Sequence, residues 1–175
     1  PLSVFDEWAK RVLEAFSRFQ VLCALRAGPY GVSGLNDTIA EALRARNLIQ
    51  RSGNWYAGRP VLVTRNDYGL KLMNGDVGIT LSVPAGIAGS SEARATGRIL
   101  RVAFPLSDGS GGIRWVSPSR LQSVETVFAM TVHKSQGSEF GHTCLVLPDR
   151  PSPVLTRELI YTGITRARNW FSVLV

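Results

Sequence analysis

Apolar positions recur along this chain with changing period, and each period predicts an element. Near the start, Phe5, Trp8, Val12, Phe16 and Phe19 follow one another at helical spacing. They predict an amphipathic helix over about 4–17 with its aromatic stripe turned to a core. Ser3 and Asp6 have the spacing of a capping box, with Asp in place of the usual Glu. The unbroken apolar run Val21-Leu22-Cys23-Ala24-Leu25 reads as a buried strand. It ends in a glycine-rich turn from Arg26 to Gly34. Leu35, Ile39 and Leu43 then mark a helix over about 35–46, with Asn36 and Asp37 near its start. Strand, loop and helix in that order predict an α/β layer on a parallel sheet.

A further strand, Val61-Leu62-Val63-Thr64, ends at Arg65-Asn66-Asp67 and is assigned to the same layer. The character then changes. Asn74-Gly75 carries the signal of a tight hairpin, residues 84–97 form a Gly/Ala/Ser-rich loop, and 98–104 reads as a strand. Asp108 to Gly112 is another turn and Ile113–Val116 another short strand. Short strands with glycine turns predict a small antiparallel barrel. Residues 68–124 are therefore expected to be a β insert in an α/β domain made of 1–67 and 125–175. From Val124 to Met130 the chain is expected to return to the parallel sheet. Cys144–Leu147 reads as its next strand, and prolines between Pro148 and Pro153 break regular structure. Leu159, Ile160 and Ile164 give a last helix its apolar face, and 171–175 a final strand.

Composition narrows the setting. With 175 residues, 45% of them hydrophobic, the chain has room for one ordinary domain or one carrying a small insert. Cys23 and Cys144 both lie in apolar runs and read as buried thiols in a reducing, cytoplasmic compartment. No apolar run is long enough for a membrane span, and the first residues lack a basic stretch ahead of an apolar one, so no membrane and no signal peptide are expected. The net charge of +7 favours a polyanionic partner, though the arginines are spread along the chain and name no site.

Chemistry is concentrated in one loop. After Val127-Phe128-Ala129-Met130 comes Thr131-Val132-His133-Lys134-Ser135-Gln136-Gly137-Ser138-Glu139-Phe140, followed by a second apolar run. Hydroxyl, imidazole, ammonium, amide, glycine and carboxylate sit together at a strand end. Such a set fits backbone donors and a glycine meeting phosphates, with a carboxylate for a sugar hydroxyl. A polar surface loop is the bland alternative. The string resembles motif V of superfamily 1 DNA helicases, most closely the RecD-like group. Arg157-Glu158-Leu159-Ile160-Tyr161-Thr162-Gly163-Ile164-Thr165-Arg166-Ala167-Arg168 resembles motif VI of the same family and follows in the right order. The stretch Leu25-Arg26 to Leu35-Asn36 looks like the segment entering the second motor domain of those helicases.

The resemblance implies a RecA-like motor domain 2 with an inserted SH3-like β-barrel, and ATP with Mg2+ as cofactors. Arg166 matches an arginine finger, which stabilises charge on the transferring phosphoryl group. Gly137 would let backbone approach the γ-phosphate, Glu139 would accept from ribose hydroxyls, and Gln136 and Arg26 would join the nucleotide side. Thr131, His133 and Lys134 would face single-stranded DNA. Phe140 is expected as a core anchor and Arg168 as a surface or neighbour-pairing residue. Implied partners are the N-terminal RecA-like domain of the same protein and RecB- and RecC-type subunits; implied polarity is 5′ to 3′. No Gly-x-x-x-x-Gly-Lys-Ser/Thr occurs in the chain. The reading is therefore a C-terminal part of a helicase that needs a phosphate loop from elsewhere. Alternatives are a Pif1-like or conjugative-relaxase helicase domain, or a non-catalytic nucleic-acid or subunit-docking module; an intact Arg166 speaks against the last.

Overall fold

The structure is a computed structural model describing residues 2–50, 53–85, 97–106 and 110–175, with the backbone alone for Leu2 and Ser3. Most of the predicted glycine-rich loop at 84–97, the start of the turn at 108–112 and the capping side chain of Ser3 lie outside the described residues. The chain divides into two compact units, Pro1–Leu13 with Arg46–Thr126, and Glu14–Ala45 with Val127–Val175.

The second unit is the α/β layer. Its sheet has four parallel strands in the order β7-β1-β8-β9, comprising β1 (Phe19–Cys23), β7 (Ala129–Thr131), β8 (Phe140–Val146) and β9 (Ala167–Leu174). Central β1 overlaps the apolar run expected at 21–25 but starts and ends two residues earlier, and its Leu22 and Cys23 are fully buried. Desolvation pushes the Cys23 thiol from an ordinary 9.0 up to about 11. Gln20, also buried in β1, donates from Nε2 to the carbonyls of Phe128 (3.0 Å) and Val21 (3.1 Å). Two helices belong to this layer: α2 (Val32–Ala45) and α3 (Arg157–Ile164).

The first unit is built on five antiparallel strands in the order β5-β4-β3-β2-β6. These are β2 (Pro60–Val63), β3 (Val77–Pro84), β4 (Arg98–Pro105), β5 (Ile113–Val116) and β6 (Val124–Thr126). Two expectations change here. The strand at 60–63, assigned from sequence to the parallel layer, pairs antiparallel with both β3 and β6. The run from Val124 to Met130 is divided between sheets, 124–126 serving the antiparallel one and 129–131 the parallel one. The antiparallel unit thus begins well before residue 68 and closes at Thr126. Both misreadings share a cause: a buried apolar run looks the same in either kind of sheet, because periodicity reports burial and not the pairing partner. Val61, Val63, Val102, Phe104 and Val116 form the core of this unit.

Helix α1 (Leu2–Ser17) forms as predicted but starts earlier, so Ser3 lies inside it. The partner of Asp6 is instead Trp115, whose indole Nε1 donates to Asp6 Oδ1 at 2.7 Å. Asn74-Gly75 does turn the chain, with Asp76 N donating to Met73 O at 3.0 Å and Gly75 at φ +100°, but the turn feeds β3 from a longer connection. Among the described residues no helix is long and apolar enough to cross a membrane.

Candidate functional site

The polar loop at 131–140 is the crossover from β7 to β8. Parallel register sets Thr131 level with Cys23, and Cys23 level with Val146, at the carboxyl edge of the sheet. Phe140 opens β8 at the amino edge, six strand positions away, or about 20 Å at 3.3 Å per residue. The loop therefore runs the height of the sheet and divides its own side chains between the two edges.

Its upper part is wound tightly. Val132 N donates to Cys23 O (3.0 Å), and a 3₁₀ turn follows over His133–Ser135. Thr131 is only 6% exposed, and its hydroxyl accepts from Lys134 N at 3.3 Å. Ser135 is buried and donates from Oγ to Val132 O at 2.7 Å. His133 and Gln136 are left exposed and Lys134 half-buried. Gly137 then takes φ +86°, a left-handed conformation that a residue with a Cβ resists, and among the described residues nothing beyond its chain neighbours stands within 4 Å of where a Cβ would be. Phe140 is buried, as expected of an anchor.

Asn36 holds this loop's entry in place. From the sequence it is expected near the start of a helix; the structure buries it within α2. Its Nδ2 donates to Ala129 O (2.9 Å) and Val32 O (2.8 Å), and its Oδ1 accepts from Ala129 N (3.1 Å). Because β7 is an edge strand, Ala129 presents both main-chain groups away from β1, and the amide of Asn36 takes the place of the missing neighbour strand.

At the amino edge the second motif meets the first. Thr156 caps α3, accepting from Leu159 N at 3.2 Å. Hydrogen bonds from its own main chain and from Thr156 hold the Glu158 carboxyl below its ordinary range. Leu159 and Gly163 are buried, the latter close against Leu145 and Val132, and α3 ends at Ile164. Arg166 follows at once. Its carbonyl accepts from Phe140 N (2.8 Å), Nη1 donates to Ser138 O (3.1 Å) and Nη2 to Thr165 Oγ1 (3.2 Å). Among the described residues its buried Nε has no hydrogen-bond partner. Two residues on, Arg168 Nε meets Glu139 Oε2 at 3.0 Å, with side chains 65% and 55% exposed. Screening leaves such a pair little energy, about 0–1 kcal/mol, but it orients the carboxylate.

The structure thus gathers Gly137, Glu139 and Arg166 at one edge. Thr131, His133 and Lys134 stand toward the other. Gln136 and His133 line a groove of about 450 Å³ with Val132, Thr156, Glu158 and Thr162. Arg26 is not brought to the cluster: it lies beyond the carboxyl end of β1, exposed, with its carbonyl held by Ser33 N at 3.2 Å. The pairing of Arg168 with Glu139 and the carbonyl of Ser138 as an Arg166 acceptor had no signal beyond proximity of the two motifs in order. Among the described residues no group of three or more His, Cys, Asp or Glu side chains is placed to hold a metal ion.

Comparison with known proteins bears on this arrangement directly. Residues 126–174, which hold both motifs, match the UvrD-like helicase C-terminal domain. The RecBCD enzyme subunit RecD of Haemophilus influenzae is 38% identical over 168 residues, covering 95% of this chain and 23% of its own. The chain is a homologue of RecD. The ATP-dependent RecD2 DNA helicase of Deinococcus radiodurans is 32% identical over 154 residues, covering 87% of this chain and 19% of its own. Pif1 helicase from Candida albicans superposes with a TM-score of 0.49 at 17% identity, over 94% of this chain and 48% of its own. The RecD-like chain spans about a quarter or less of the curated relatives it matches.

Proposed function

We propose that this chain is the second-motor-domain part of an ATP-dependent DNA helicase, supplying the arginine finger and part of the single-stranded DNA track. The observation that carries it is the clasp between the two motifs, which fixes Arg166 beside the backbone of Ser138 and the left-handed Gly137. A guanidinium that spends one hydrogen of Nη1 on Ser138 O and one of Nη2 on Thr165 Oγ1 keeps the second hydrogen of each for an anion. That fits a nucleotide phosphate.

ATP with Mg2+ supplies the phosphoryl-transfer chemistry when bound. Arg166 offers a planar, permanent charge to oxygens whose negative charge grows in the transition state. Gly137 keeps the backbone open to close approach. Glu139 accepts from ribose hydroxyls once it gives up Arg168, and Gln136 joins the nucleotide network from the groove it lines with His133. His133 and Lys134, at the carboxyl edge, meet phosphates of the DNA strand; the buried Thr131 hydroxyl shapes the turn that presents them. The phosphate loop and the acid for Mg2+ come from the N-terminal RecA-like domain of the same protein, with RecB- and RecC-type subunits as further partners in the cytoplasm. Five antiparallel strands around one core support the finer assignment of the other unit to an SH3-like barrel.

The test is Arg166→Ala in the full-length protein. ATP binding should persist while turnover falls by at least about 10²-fold, since the finger acts mainly on charge developing in the transition state. Arg166→Lys should rescue little, and Arg168→Ala should be milder. Near-normal turnover in Arg166→Ala would remove the finger assignment, and with Arg168→Ala also normal the motif itself would fall.

A further inference from the structure

The connection between β2 and β3 is longer and better braced than joining two neighbouring strands requires. Leu62 is level with Val77, yet residues 64–76 make the link. Leu70 and Leu72 drive into the core of this unit beside Val61, Val63, Phe104 and Val116, and Leu72 is 1% exposed. Asp67 and Leu72 exchange both main-chain bonds (2.8 and 2.9 Å). Side chains tie down the rest: Asp67 Oδ1 accepts from Leu70 N (2.9 Å), Asn66 Oδ1 from Asn74 N (2.8 Å) and Asp76 Oδ2 from Met73 N (2.8 Å). Lys71 is held at φ +51°, a conformation costly for a residue with a Cβ, and its carbonyl accepts from Arg114 Nη1.

This braced loop presents Tyr68, 75% exposed, and Met73, 48% exposed. The phenol has one contact among the described residues, a long one from Asn66 Nδ2 at 3.4 Å. Both loop carboxylates are turned inward onto main-chain N–H groups, while Arg65, Lys71 and Arg120 are exposed around them. Beside the loop lies a polar cavity of about 220 Å³, lined in part by Arg65, Asn66, Asp67, Gln122 and Ser123.

We infer that the 64–76 loop is a contact for single-stranded nucleic acid, separate from the clasp of the two motifs. Tyr68 stacks a base, Arg65 and Lys71 meet the flanking phosphates, and the cavity receives the base edge. An aromatic face accepts any base, and cations beside it neutralise the backbone. The loop's order is already present, so little entropy is lost on binding. Charge complementarity favours a polyanion over an apolar protein partner: the cations face out and the acids are spent internally. The choice of partner class rests on the helicase reading; the residues do not.

The experiment measures anisotropy of fluorescein-labelled oligodeoxythymidylate and oligouridylate titrated with the full chain, without nucleotide, across a salt series. Tyr68→Ala should weaken binding on the order of 5- to 150-fold and Tyr68→Phe should keep it. Lys71→Asn tolerates the positive φ and removes the charge, so it should lower the log–log salt slope by about 0.7. The oligonucleotide bound tighter identifies the strand as DNA or RNA. Unchanged binding by both Tyr68→Ala and Lys71→Asn would overturn the inference and hand the loop to a protein contact. So would equal loss in Tyr68→Phe and Tyr68→Ala, or no binding by the unaltered chain. The helicase reading is judged separately, by turnover in Arg166→Ala.

Discussion

Removing the amide of Asn36 is the most direct test of how the fold presents the motif V loop. Asn36→Ala deletes three hydrogen bonds, two of them to the N–H and C=O of Ala129 on the outer side of an edge strand. Ala129 is fully buried, so water cannot easily replace the lost partners. Each buried group left unpaired costs about 1–3 kcal/mol, and partial solvation of the opened edge reduces the sum. We expect a loss of about 2–4 kcal/mol, a large fraction of the roughly 5–15 kcal/mol that holds a domain of this size. Asn36→Asp should be no better: it keeps the acceptor for Ala129 N but sets a carboxylate against the carbonyls of Val32 and Ala129. Urea denaturation of the chain followed by tryptophan fluorescence measures this. With a slope of about 2 kcal/mol/M, the midpoint should fall by roughly 1–2 M. Hydrogen exchange at Val132 and Lys134 should speed up in the same variant, because their amides close the turn that Ala129 leads into. A stability loss under about 0.5 kcal/mol, with exchange unchanged, would refute the claim that Asn36 substitutes for a strand.

Two further outcomes test the packing around the two sheets. Cys23, pushed up to about 11 by burial, should alkylate with iodoacetamide at pH 8.5 far more slowly in the native chain than in urea; equal rates by mass spectrometry would contradict its burial. Because its folded value lies above the ordinary 9.0, the protonated thiol favours the fold below about pH 9, and that contribution is lost as pH rises toward about 11. Gly78→Ala would place a Cβ 2.6 Å from the fully buried ring of Phe104, so it should destabilise the antiparallel unit by about 1–3 kcal/mol; an unchanged melting temperature would mean the ring has room to move.

The sequence by itself determined the elements whose signals are local. The apolar run at 21–25 announced a buried strand, the aromatic stripe from Phe5 to Phe16 a helix, and the two motif strings the family to which the chain belongs. These are legible because periodicity and motif strings are properties of neighbouring residues. Tertiary structure decided what depends on a distant partner. Val61–Val63 joined the antiparallel sheet because β3 and β6 were there to pair with it, and Val124–Met130 was divided because one end found β2 and the other β1. Asn36 became a substitute strand partner because Ala129, 93 residues along the chain, exposes its edge beside α2. Parallel register placed Arg26 and Arg166 at opposite edges and brought Arg168 onto Glu139. No local pattern encodes which strand lies next to which, and the distance between two charged side chains follows from that order alone.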